Sequence, residues 1–323
     1  MLFRTVFIQR LILLLSFASL NACAAGKTSS NYGATDIETY KNISYGHDSA
    51  QKFDVYTRNG LTDAPVIFMV HGGAWKMGDK KSNSVIQNKL QRWLPAGFVF
   101  ISVNYRLMPK ADPLQQATDV RNALITAQNR AASWGGDPEK FILMGHSAGA
   151  HIVGLVSSSI AEHQSMGGKR WLGSVLLDSA ALDVPGIMNR KHYGFYDEAF
   201  GKNSDFWVKA SPQHQLKYDA PPFLITCSAR RKGACSQANS FAEMANSFGI
   251  RASVVSKDLS HKEMNETLGG NNDYTVKVEA FLSSLDSKTQ AVIASEPPII
   301  STEEPRKGLL KRWAEKRRKA NSQ

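Results

Sequence analysis

Ser147 lies in Gly145-His146-Ser147-Ala148-Gly149, a G-x-S-x-G pentapeptide. The apolar run Phe141–Met144 precedes it, and small apolar residues follow. Strand, tight turn and helix are the setting in which such a serine is lifted above a sheet edge as a nucleophile. A serine hydroxyl needs an adjacent base to attack at neutral pH. His261 is placed for that work, on a loop after the last expected strand and just before a helix. His146 and His151 flank the pentapeptide, while His163, His192 and His214 fall in connecting segments. Attack on a carbonyl also requires preorganised N–H donors for the developing oxyanion. His71-Gly72-Gly73-Ala74-Trp75 offers the amides of Gly72 and Gly73 without side chains in the way, and Ala148 offers a third. His71 then reads as a residue that orients the loop. No metal-ligand spacing and no phosphate-cradling glycine loop occurs in the sequence, so the chemistry is expected to need no cofactor.

These residues need a frame. Pro65–Val70, Phe98–Val103, Phe141–Met144, Ser174–Leu177, Phe223–Thr226 and Ala252–Val255 are short apolar runs of the kind buried on both sheet faces. Helical segments are expected between them, around Val85–Leu94, Asp112–Ala131 and Gln237–Phe248, with a last helix to about Leu285. This alternation implies an α/β fold with a mostly parallel, doubly wound sheet. Ile43–Tyr45 and Lys52–Thr57 read as a leading antiparallel hairpin. The stretch from Val184 to Asp219, with Tyr193, Tyr196, Phe200 and Trp207, is too long for a simple connection and is expected to form a cap.

The catalytic part, residues 37–286, resembles the α/β-hydrolase superfamily. H-G-G-A-W and G-H-S-A-G are similar to bacterial carboxylesterases and to the kynurenine formamidase and feruloyl/acetyl-xylan esterase group. Asn104-Tyr105-Arg106-Leu107 and Asp119 match that group too, with Arg106 and Asp119 read as a structural ion pair. The resemblance implies a serine hydrolase acting on a small-molecule ester, with an arylformamidase or a catalytically weak binding protein as alternatives. It also implies a triad acid just after the seventh strand. Here that loop, Cys227 to Cys235, holds two arginines and a lysine but no carboxylate. Asp178, at the end of the sixth strand, resembles the acid position of pancreatic-lipase-type hydrolases. Asp183 and Asp258 are the other candidates, and a triad lacking its acid is the remaining possibility.

Of the net charge of +11, residues 1–22 contribute +2 and residues 303–323 contribute +5, so the body is only mildly basic. Residues 1–22 have a signal-peptide layout, with Arg4 and Arg10 beside the apolar run Leu11–Leu15. Leu20-Asn21-Ala22-Cys23 resembles a bacterial lipobox, which would make Cys23 a lipidated mature N-terminus followed by a tether to residue 36. The expectation is an exported, membrane-anchored lipoprotein facing the periplasm, with a soluble secreted protein as the alternative. In an oxidising compartment Cys227 and Cys235 are expected to pair. Residues 287–323 read as a polar, then basic tail, either solvated or an amphipathic anchor on an anionic surface. No nucleic-acid module is present in it.

Overall fold

The computed structural model describes residues 37–295 and residue 299. The expected signal peptide, Cys23, the tether and the basic tail lie outside them. Contacts divide the chain into Met1–Gly33 and Ala34–Gln323, and the described residues belong to the second unit.

One eight-stranded sheet runs in the order β1-β2-β4-β3-β5-β6-β7-β8. Its strands are β1 (Ile37–Ser44), β2 (Lys52–Arg58), β3 (Ala64–Val70), β4 (Val99–Val103), β5 (Gly136–His146), β6 (Gly173–Leu177), β7 (Phe223–Ser228) and β8 (Ala252–Lys257). The first two pair antiparallel, β2 joins β4 antiparallel, and all later pairings are parallel. The α/β-hydrolase expectation of a mostly parallel, doubly wound sheet is met.

The central strands are apolar throughout because each face meets helices. Val66, Phe68 and Val70 point into one core, and Ile67 and Met69 into the other. Phe141 and Leu143 against Ile142 and Met144 repeat this division on β5. Helices α1 (Asn83–Ala96), α2 (Pro113–Arg130) and α3 (Ala148–Ser157) follow β3, β4 and β5. An Asp112–Gln115 capping box and Pro113 in the first turn set the start of α2. Its Val120, Ala123, Leu124 and Ala127 join the first core, while Trp93 of α1 joins the second. Truncating a side chain such as Phe68 to alanine would cost about 3–5 kcal/mol.

Beyond α3 come α4 (Ile160–Ser165) and the cap, which comprises α5 (Val184–Met188), α6 (Gly194–Phe200), α7 (Ser204–Lys209) and α8 (Pro212–Gln215). The irregular stretch is thus a set of short helices. Asp183 and Asn203 cap two of them by accepting from Gly186 N–H and Asp205 N–H. Then follow α9 (Ala234–Ser247), α10 (Glu263–Glu266), α11 (Asp273–Ser283) and α12 (Ser287–Ala294). Two boundaries differ from expectation. The strand that leads to Ser147 begins at Gly136, and Ser287 opens a helix where a polar tail was expected. Asp286 caps that helix through Thr289 N–H, and Val292 and Ile293 pack on the second core. Among the described residues, no helix is long and apolar enough to cross a membrane.

Candidate active site

The parallel strands deliver the candidate residues to one edge, as open α/β sheets do at their carboxyl ends. Because β3 and β6 flank β5, the turn after β5 has the His71 loop on one side and Asp178 on the other.

Ser147 sits in that turn with φ 56° and ψ −118°, an unfavourable conformation for a residue with a side chain. Its N–H is anchored 2.9 Å from Leu177 O on the neighbouring strand. Gly149 is required by close packing, since a Cβ there would lie 2.3 Å from Val70 O. The strained serine is thus held by the sheet edge and by the helix packed against it.

His261, four residues past the end of β8, bridges Ser147 and Asp178. Its Nε2 is 2.9 Å from Ser147 Oγ, and its Nδ1 is 2.5 Å from Asp178 Oδ2. Asp178 Oδ1 accepts from Ser228 N–H at 2.8 Å. Burial works against the aspartate's charge, yet the His261 bond, the Arg231 cation and the Ser228 amide together hold its carboxyl below the usual range. An ionised carboxylate only accepts, so Nδ1 carries the proton and Nε2 is left to take the one from Ser147.

On the opposite side, Gly72 lies against the serine: a Cβ there would come 2.9 Å from Ser147 Cβ and 2.6 Å from His146 O. Ala148 is the first residue of α3, so its N–H has no place in the helical ladder. Gly72, Gly73 and Ala148 all line one cavity with Ser147. His71 is stacked on Tyr105 with ring centroids 4.6 Å apart, and Tyr105 Oη donates to His71 O. Burial lowers the His71 pKa, which suits a neutral ring that orders the loop. Ala74 and Trp75 also have positive φ, and the Trp75 indole N–H donates to His151 Nδ1 at 3.2 Å.

The other carboxylates are engaged elsewhere. Asp183 caps α5, and Asp258 is exposed and bound by Arg230 at 2.7 Å. Arg106 and Asp119 form a two-pronged pair at 2.8 and 2.6 Å, away from the cavity, in keeping with a structural role. Cys227 and Cys235 are disulfide-bonded.

Four residues contribute to the site beyond the sequence reading. His146, pushed down to about 3 by burial, is neutral and donates Nε2–H to His261 O at 2.9 Å. Lys89, buried in α1, donates to Asn265 O and Oδ1 at 2.7 and 2.9 Å, which anchors the α10 turn behind His261. Ser228 Oγ holds Leu259 O at 2.5 Å, and Arg231 touches both Asp178 and His261. The only signal for His146 was adjacency to Ser147. For Lys89 there was none, because a lysine on an amphipathic helix reads as exposed.

The cavity has a volume of about 690 Å³. Tyr193, Phe195 and Tyr196 of the cap form one wall, with Phe195 and Tyr196 centroids 4.3 Å apart. Asp79 and Ser82 of the loop after β3 and Asn265 of α10 also line the cavity. A carbonyl carbon in this space would meet Ser147 Oγ with backbone amides beside it.

A strained serine after a central strand, backed by helices on both faces of the sheet, is the architecture of the α/β-hydrolases, and this chain has that fold. It belongs to the BD-FAE family, whose profile matches residues 53–231, 179 of the 323 residues. Among curated relatives, it is 27% identical to a probable isoprenylcysteine α-carbonyl methylesterase of Arabidopsis thaliana, over 67% of this chain and 49% of that protein. It is 23% identical to a kynurenine formamidase of Danio rerio, over 74% of this chain and 79% of that one. The chain spans about half the length of the first of these, as of a mycobacterial ester hydrolase it also matches. Among solved structures, esterase B of Lactobacillus rhamnosis superposes with a TM-score of 0.63 at 18% identity, covering 79% of this chain and 88% of that one. That likeness concerns the fold.

Proposed function

We propose that the protein is a serine hydrolase that cleaves small carboxylic esters through an acyl-enzyme on Ser147. The observation that carries this reading is the bridge made by His261, 2.9 Å from Ser147 Oγ and 2.5 Å from Asp178 Oδ2. Nε2 takes the hydroxyl proton as Oγ attacks the acyl carbon, and the amides of Gly72, Gly73 and Ala148 receive the oxyanion. The imidazolium then protonates the departing alcohol. Water, activated by the same ring, releases the acid. Ionised Asp178 holds the ring in its tautomer throughout and stabilises its transient charge. The test is hydrolysis of p-nitrophenyl esters of increasing acyl length by the wild type and Ser147→Ala. Turnover that falls by roughly 10⁴ or more in the variant supports the reading; equal rates for the two would sink it.

The formamidase relative, matched along most of both chains, supports a second reading in which the scissile bond is an aryl formamide. The aromatic wall of Tyr193, Phe195 and Tyr196 suits such a ring. Competition between an aryl formamide and an aryl acetate at equal concentration decides between them through kcat/KM.

We further propose export and attachment to a membrane through Cys23. The Cys227–Cys235 disulfide supports an oxidising compartment. Cys23→Ser should leave an unprocessed precursor in a bacterial host with a lipoprotein pathway. Normal cleavage in that variant would point to a soluble secreted protein.

A further inference from the structure

The loop after β7 carries its charge in an unexpected direction. Residues 229–233 are closed off by the Cys227–Cys235 bond, whose Cα atoms are 5.1 Å apart. From this short loop Arg231 reaches back to the sheet edge, where Nη1 donates to Asp178 O at 2.7 Å and lies 3.4 Å from Asp178 Oδ2. Asp178 has φ +50°, a left-handed conformation that few non-glycine residues adopt, and its carbonyl faces the arginine as a result. Arg231 Nη1 is also 3.3 Å from His261 Nδ1. Both nitrogens are donors in this protonation state, so neither serves the other; each is directed at the aspartate. Arg231, Ser228 and His261 thus converge on one buried carboxylate from β7, its loop and the loop after β8.

We propose that Arg231 is a positioning residue that acts through Asp178. By capping the aspartate's carbonyl and flanking its carboxylate from a disulfide-closed loop, it fixes the orientation in which Asp178 holds His261. This inference rests on the triad reading above. A loose aspartate would leave the imidazole free to rotate or to take the other tautomer, which lowers turnover without touching substrate binding. The charge of Arg231 contributes as well. The titratable and charged groups around this corner are His261, buried His146, Tyr196 of α6, Tyr274 of α11, Lys89 beyond His146, and Arg230 with Asp258 and Glu263 on the adjoining loops. Arg231 is the cation beside Asp178 itself, whereas Arg230 is engaged by Asp258, so removal of Arg231 eases protonation of the site.

The experiment uses the full chain with p-nitrophenyl butyrate, comparing Arg231→Met, Arg231→Lys and Lys232→Ala with the wild type. Lys232 is the exposed neighbour of Arg231 and serves as the control. Arg231→Met should lower kcat by roughly tenfold with KM within about twofold. The acid limb of its pH–rate profile should move to higher pH by about half a unit, the scale of a partly screened charge at this distance. Arg231→Lys should keep the limb in place and restore part of kcat, because it preserves charge but not the planar guanidinium that places Nη1 on the Asp178 carbonyl. Lys232→Ala should match the wild type. Proton NMR gives a reading independent of turnover: the low-field Nδ1–H signal of His261 should be sharp in the wild type and broadened or lost in Arg231→Met. Wild-type kcat with an unshifted limb in Arg231→Met would overturn the inference, as would a rise in KM alone, which would make Arg231 a substrate ligand. Should circular dichroism show Arg231→Met unfolded, the paired substitution Cys227→Ala and Cys235→Ala frees the loop while keeping the arginine. Its kcat should fall in the same way, and an unchanged kcat overturns the inference. A wild type that hydrolyses no ester, yet shows the NMR signal and loses it in Arg231→Met, removes the esterase reading and leaves the positioning role intact.

Discussion

On one side of Ser147 the loop from His71 to Trp75 is held by backbone geometry and neutral rings: Gly72 against the serine, His71 stacked on Tyr105, Trp75 hydrogen-bonded to His151. On the other side Asp178 is held by donors, two of them on side chains that can carry positive charge. The first wall has no room to spare and little dependence on charge. The second has alternatives in shape but depends on a carboxylate remaining ionised. Changes in volume should therefore damage one wall, and changes in charge the other.

The sharpest break is Asp178→Asn, which keeps size and removes charge. The amide permits the wrong imidazole tautomer and cannot stabilise an imidazolium. Such a change costs on the order of 10⁴ in kcat in a serine protease, and a loss of at least about 10² is expected here. Ester turnover by purified variants measures it; kcat within tenfold of the wild type would remove Asp178 from the triad. Gly72→Ala tests the other wall. Its methyl group would fall 2.6 Å from His146 O and 2.9 Å from Ser147 Cβ, so the loop must shift and its amides with it. We expect a loss in kcat of roughly 10²–10³, the range for a lost oxyanion donor. An unchanged kcat would show that these amides do not receive the oxyanion.

The smallest effect sharpens the claim that the rings around the serine are neutral. Burial lowers His146 to about 3 and His151 to about 4. In the unfolded chain both would titrate near 6.5, so on acidification the unfolded state binds protons first and stability falls. The loss should run from about pH 6.5 towards pH 4 at up to about 1.4 kcal/mol per pH unit for each ring. Asp178 adds to it only at lower pH, since its contribution is full above the usual carboxylate range and disappears as pH falls through its lowered value. Urea midpoints at stepwise lower pH should show this slope, and His151→Gln should reduce it by about a quarter to a third, because burial lowers His163 and His71 as well. Midpoints that stay level from pH 7 to about pH 5 would contradict neutral burial.

How much of this was legible in the sequence follows the same division. Central strands such as Val66–Val70 were readable because burial on both faces demands an unbroken apolar run. Ser147, the glycine loop and His261, which the structure brings to one cavity, stood out in the sequence by local motif and chain order. The first half of β5 was not, since Gly136 and Pro138 there read as a turn. Helix α12 was missed because Val292 and Ile293 make too short a stripe, although Asp286 was a usable cap signal. The cap helices run only four to seven residues, too few for a periodic pattern, so their order comes from caps and from packing against Trp75 and the sheet. Asp178 was one candidate among several, and what distinguishes it is the closure of three loops on one point. Arg231 was legible only as an awkward charge. Its use appears once the disulfide loop is seen to face the aspartate's carbonyl.

His151 has a consequence for the passage of molecules in and out. Its Nδ1 accepts from the Trp75 indole, and its Nε2 bonds Ala210 O at the end of α7 at 2.7 Å. Floor and roof are thereby riveted together through a single ring sunk in the interior. A roof fastened this way cannot lift like a hinged hatch without pulling on the loop that would receive the oxyanion. Traffic is left to the exposed side chains that line the cavity, among them Met77 and Tyr193, 58% and 74% exposed. The bulk of a molecule that can enter is then set by how far those two side chains swing, and the doorway can be widened by trimming them while the riveted interior stays as it is.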